Sequence, residues 1–148
     1  MEDILKYRKR EKLYQFLIED FGMIKVNEGL DSKNFGNFYI TLSSKDFLLD
    51  YINDRSFLDI HIRSKMDPSN LIRLSVLKNY LYNPSNLNNN DGIDNKSRID
   101  RLNNFLRTDF DKISKLVNED NYFETKAEID RLLKEQFFKK RPPAGAVL

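Results

Sequence analysis

Cysteine is absent from this 148-residue chain. That excludes disulfides, thiolate zinc sites and a cysteine nucleophile, and it fits a reducing compartment. Histidine occurs once, as His61. One imidazole and no thiol leave a metal only carboxylates, which suit Mg²⁺ or Ca²⁺. Glycine is scarce, at five residues, and neither G-x-x-x-x-G-K-[ST] nor G-x-G-x-x-G occurs, so no phosphate-cradling loop is expected. No apolar run approaches the ~20 residues of a membrane helix. The start, MEDILKYRKR, places charges where a signal peptide needs an apolar core. No membrane association and a cytoplasmic location are expected. A net charge of only +2 supplies no global field for nucleic acid. The run KYRKREK, residues 6 to 12, is diluted by Glu2, Asp3 and Glu11 and reads as a solvated helix face.

What is present is a globular composition with plentiful aromatics, seven Tyr and eleven Phe, which bury much area per residue. The length suits one domain, spanning 1 to 141. Residues 142 to 148 carry two adjacent prolines at their start and no periodicity, so a disordered tail or an extended strip is expected.

Hydrophobic spacing predicts an α+β fold: an N-terminal helix, an antiparallel meander of about four strands, then three helices. Leu13, Phe16, Leu17 and Phe21 keep helical spacing, and Gly22 is a stop signal. MIKV, residues 23 to 26, reads as a short strand and residues 27 to 34 as a loop. Three alternating segments follow, in which Phe38, Ile40 and Leu42, then Phe47, Leu49 and Tyr51, then Leu58, Ile60 and Ile62 share one face. Residues 43 to 46 (SSKD) and 53 to 56 (NDRS) supply turn residues. Asp67 followed by Pro68 reads as the start of a helix with Leu71, Leu74, Leu77 and Leu81 inside. Residues 83 to 96 read as an Asn-rich loop, and Ser97 with Asp100 as a capping box. Behind it Ile99, Leu102, Phe105, Leu106, Ile113, Leu116 and Val117 form the inner stripe of a long helix. A last helix runs from 122 to 140 through Ile129, Leu132, Leu133 and Phe137.

No catalytic constellation emerges. His61 has Asp59 and Arg63 on its own strand face, at i−2 and i+2, but no activated nucleophile accompanies it. The segment LNNNDGIDNKSR imitates a calcium loop. Setting Gly92 at the sixth position puts Leu87 first and Arg98 twelfth, where oxygen ligands are required, and the frame fails. Asp50, Asp54 and Asp59 lie on neighbouring strands and turns, and solvated positions explain them. Tyr39 and Phe57 could stack bases, with Arg63 on phosphate, yet the sheet lacks the interleaved Lys and Arg of a nucleic-acid face. No cofactor and no metal are expected.

The stretch from Phe16 to Ile62, FLIEDFGMIKVNEGLDSKNFGNFYITLSSKDFLLDYINDRSFLDIHI, resembles small bacterial α+β proteins of the immunity type found in polymorphic-toxin systems. The shared order is a helix ending near Gly22, a short strand, the entry Phe35-Gly36-Asn37, and strands joined around Asp54-Arg55. A leucine-rich helix follows, here LIRLSVLKNYL, without the aromatic that such proteins often carry at the position of Leu71 or Ile72. The resemblance implies scaffold roles for Phe35, Gly36, Asn37, Asp54 and Arg55. It implies a non-enzymatic protein that binds and neutralises a toxin domain. The expected partner-binding face holds Tyr39, Asp50, Asp59, His61 and Arg63. The near-neutral charge points to a partner without an extreme charge of its own. The competing readings are a structural or adaptor module of a bacterial assembly, and a nucleic-acid-binding domain.

Overall fold

The computed structural model describes residues 2–31, 37–89 and 94–140. Phe35, Gly36 and the tail from 142 lie outside the described residues. The order is α1 (Glu2–Phe21), β1 (Ile24–Asp31), β2 (Asn37–Ser43), β3 (Phe47–Asp54), β4 (Phe57–Ser64), β5 (Leu71–Arg73), α2 (Leu74–Tyr82), α3 (Asn95–Val117) and α4 (Tyr122–Lys140). The five strands form one antiparallel sheet in chain order, as expected of a meander with short connections.

α1 ends where Gly22 adopts φ +68°, a conformation costly for any residue with a Cβ, and the Met23 N–H returns to the Leu17 carbonyl at 3.0 Å. The alternation in the three middle strands gives the sheet its buried face. Ile40, Tyr51 and Ile60 make one cross-strand row; Leu42, Leu49, Ile62 and Ile72 make the next. All are buried. The helices meet this face. Tyr51 donates its hydroxyl to Asn103 Oδ1 at 2.7 Å, and Asn103 Nδ2 donates to the Leu13 carbonyl at 2.9 Å. One amide therefore ties β3 to α3 and α1, and burial pushes the Tyr51 phenol far above its ordinary range. Near the other end Phe110 stacks on Phe21 at 4.5 Å and tilts against Phe47 at 5.3 Å, while Ser64 Oγ donates to the Val117 carbonyl at 2.7 Å. α4 packs against α3, with Tyr122 and Ile129 buried and Phe137 53% exposed.

Three sequence expectations are corrected. β1 continues to Asp31, through residues read as a loop, because the hairpin with β2 pairs Asn27 with Thr41 and Gly29 with Tyr39. The helix expected from Asp67 begins only at Leu74. Asp67 instead closes a turn: its carboxylate accepts from Asn70 Nδ2 at 2.7 Å and Ser69 Oγ at 3.3 Å, and Tyr122 donates to it at 3.0 Å. The hydrogen bonds from Asn70 and Tyr122 hold that carboxyl below its ordinary range. Residues 71 to 73 become the fifth strand, which buries Ile72 and leaves Leu71 52% exposed. Finally, α3 is capped by Asp94, not Ser97, since Asp94 Oδ1 accepts from the Ser97 N–H at 2.7 Å.

Candidate recognition face

The second face of the sheet carries the predicted site. Strand register sets Thr41, Asp50, His61 and Arg73 side by side across β2 to β5. Tyr39, Ile52 and Asp59 form the row on one side of them; Ser43, Leu48, Arg63 and Leu71 form the row on the other. The helix contacts described above all fall on the opposite face, at Tyr51, Phe47 and Ser64. Tyr39 and Leu71 are half exposed.

Two carboxylates organise the face. Asp50 accepts from Arg63 Nε at 2.7 Å and Nη2 at 2.8 Å, a two-pronged ion pair, and from Thr41 Oγ1 at 2.6 Å. That pairing raises the affinity of Arg63 for its proton. Arg63 Nη1 also donates to the Pro68 carbonyl at 3.3 Å, which pins the turn before β5. Asp59 accepts from Arg73 Nε at 3.0 Å and from the Ile60 N–H at 2.9 Å, and its Oδ2 lies 3.4 Å from His61 Nε2. Burial works to raise the Asp59 carboxyl, but the His61 hydrogen bond and the Arg73 charge outweigh it, and the group is held below its ordinary range. Asp50 and Asp59 are 8% and 4% exposed. They lie behind the side chains they hold, so Arg63, His61 and Arg73 meet solvent first. His61 Nδ1 is buried without a partner.

Tyr39 stands at the β1 side. Its ring lies across Gly29, so close that a Cβ on that residue would strike the ring. An aromatic over a strand glycine covers backbone that would otherwise face water. A cleft of ≈ 390 Å³ opens beside it and is lined by Gly29, Leu30, Phe38, Tyr39, Ile52 and Asp54, among others. It does not reach the Asp–Arg pairs. Phe57, the other expected stacking platform, is 46% exposed and has the Arg98 guanidinium 4.1 Å from its ring centre.

The face thus offers guanidinium N–H groups, a phenol and scattered apolar side chains in fixed positions. Each acid in it is already engaged by a base. Among the described residues no cluster of three His, Asp or Glu side chains could hold a metal ion. The five expected binding residues, Tyr39, Asp50, Asp59, His61 and Arg63, fall on one side of the sheet. Of the expected scaffold residues, Asn37 accepts from the Arg55 N–H at 2.8 Å, and Asp54 and Arg55 stand at the β3–β4 turn. Sequence reasoning missed Thr41 and Arg73. Arg73 falls within the helix that the spacing after Asp67 predicts, and only pairing with β4 places it on this face.

The chain matches no known protein family, no curated protein and no solved structure. No helix among the described residues is long and apolar enough to cross a membrane.

Proposed function

We propose that this is a non-enzymatic binding protein of the immunity type, which occupies a toxin domain through the outer face of its sheet. The supporting observation is that, among the described residues, the helix contacts at Tyr51, Phe47 and Ser64 fall on the other face, while this one is internally locked. Arg63 is fixed by two bonds to Asp50, and Arg73 and His61 are fixed on Asp59. Long side chains held in place before docking lose little entropy on docking. Arginine and tyrosine are also the side chains that dominate affinity in protein interfaces. A rigid patch of ~800 Å² per partner is the usual requirement. Neutralisation by occupancy needs no reacting group of its own. The near balance of acids and bases on the face fits a partner surface of mixed charge.

The test is production of this chain with the polypeptide encoded by the reading frame immediately upstream. A one-to-one complex by calorimetry is expected, together with rescue of growth. The paired change Tyr39→Ser and Leu71→Ser removes two half-exposed contacts. It should leave the fold intact and weaken the complex at least tenfold. Absence of any complex refutes the reading; an unaltered complex with the paired change moves the contact off this face.

A further inference from the structure

We propose that the tip of the β3–β4 hairpin is a recognition element that presents the Arg55 guanidinium to an acidic side chain on the protein partner. The inference rests on the binding role proposed above and deepens it. The two residues of the tip, Arg55 and Ser56, have φ of 51° and 67°. A two-residue hairpin of this shape needs positive φ at both positions, which is why Asn-Gly and Asp-Gly are favoured there. Here neither residue is glycine, so the backbone is strained twice over.

Strain of this kind persists only where the surroundings over-determine it, and such places cluster at ligand clamps. The surroundings do so here. From β2, Asn37 Oδ1 accepts the Arg55 N–H at 2.8 Å. From α3, Asn95 Nδ2 donates to the Ser56 carbonyl at 2.6 Å, and Asn95 Oδ1 accepts the Leu58 N–H at 3.1 Å. Arg98, only 3% exposed, donates through Nε and Nη2 to the Leu58 carbonyl at 3.2 and 2.6 Å. Its guanidinium also covers the Phe57 ring at 4.1 Å. Asn37 and Asn95 thus bond the two tip residues directly, and Arg98 anchors Phe57 and Leu58 behind them.

Apart from the Phe57 ring, the clamp contacts only backbone, at Arg55, Ser56 and Leu58. The Arg55 side chain itself is exposed and has no partner among the described residues. A glycine would satisfy the backbone better, and among the described residues the Arg55 side chain holds nothing in the fold. Asp54 beside it is exposed as well, which cancels the local field and disfavours a polyanion. A single placed carboxylate, bonded by both arms of the guanidinium, fits instead. The cleft of ≈ 390 Å³ bounded by Phe38, Tyr39, Ile52 and Asp54 lies next to it and suits an apolar side chain adjacent to that acid.

The decisive variants are Arg55→Gly and Ser56→Gly. Both relieve a positive φ, so both should raise the melting temperature, by about 2–4 °C. Each is titrated against the polypeptide encoded immediately upstream. The expected result is that Ser56→Gly binds like the parent while Arg55→Gly, though more stable, binds at least tenfold more weakly, and Arg55→Glu weaker still. Equal binding by the parent and Arg55→Gly overturns the inference and leaves the binding role standing. An equal loss for Arg55→Gly and Ser56→Gly also overturns it, since turn rigidity and not the guanidinium would then matter. If the parent does not bind that polypeptide, the functional reading falls and this inference falls with it.

Discussion

Removing Arg63 tests the electrostatic design of the outer face. Its guanidinium gives the Asp50 carboxylate two bonds, at 2.7 and 2.8 Å, and the side chains are 26% and 11% exposed. Arg63→Met keeps the stem that covers the sheet and deletes the charge. Among the described residues Asp50 would retain only the Thr41 hydroxyl, at 2.6 Å. Breaking one side of a fully buried pair costs about 3–5 kcal/mol. Partial exposure of Arg63 admits water and screens the loss, so about 2–3 kcal/mol is expected. For a chain of this length that is a fall in melting temperature of about 5–10 °C. The penalty comes from a stranded charge and not from a lost contact. Adding Asp50→Asn removes the charge and still lets the carbonyl oxygen accept from Thr41. The double variant should therefore recover most of the loss. Urea unfolding of the parent, both single variants and the double variant gives the coupling free energy, provided the m-value stays constant. A single-variant cost below about 0.5 kcal/mol, or a double variant as unstable as the sum of its parts, would refute the reasoning.

Tyr51→Phe strips the donor from Asn103 Oδ1 in the buried link between β3, α3 and α1, and should cost about 1–2 kcal/mol in the same denaturation assay. Leu102→Ala empties a fully buried position on the inner stripe of α3 and should cost about 2–5 kcal/mol; a change under about 0.5 would misplace that stripe. Asp59 is held below its ordinary range when folded, so the unfolded chain binds more protons at this site. Its contribution is complete above the unfolded value, about pH 4, and is lost as pH falls through the folded one. Thermal melts from pH 6 to pH 2 should show a steeper acid loss for the parent than for Asp59→Asn, and parallel curves would contradict this.

The pattern of side chains was enough to determine the layers. Period two from Phe38 to Arg63 and period near four from Ile99 to Val117 each require one apolar face, and burying both against each other leaves little choice but a sheet under helices. Gly22 could be read as a stop because only a glycine takes positive φ at low cost. Alternation also put Tyr39, Asp50, Asp59, His61 and Arg63 on the face opposite the core. It could not say which of them reach solvent, since that depends on neighbours one strand away. Asp50 and Asp59 turned out to lie behind the bases they hold. Residues 71 to 73 satisfied helical spacing equally well, and only pairing with β4 made them a strand. β1 had too little alternation to declare its length, which the hairpin with β2 decided. The clamp on Arg55 and Ser56 was invisible for the same reason: Asn95 and Arg98 lie some forty residues away, in what read as a loop and a helix start. Local periodicity determines which way a side chain faces. Hydrogen-bond partners distant in the chain determine what it does there, because they exist only once the strands and helices have packed.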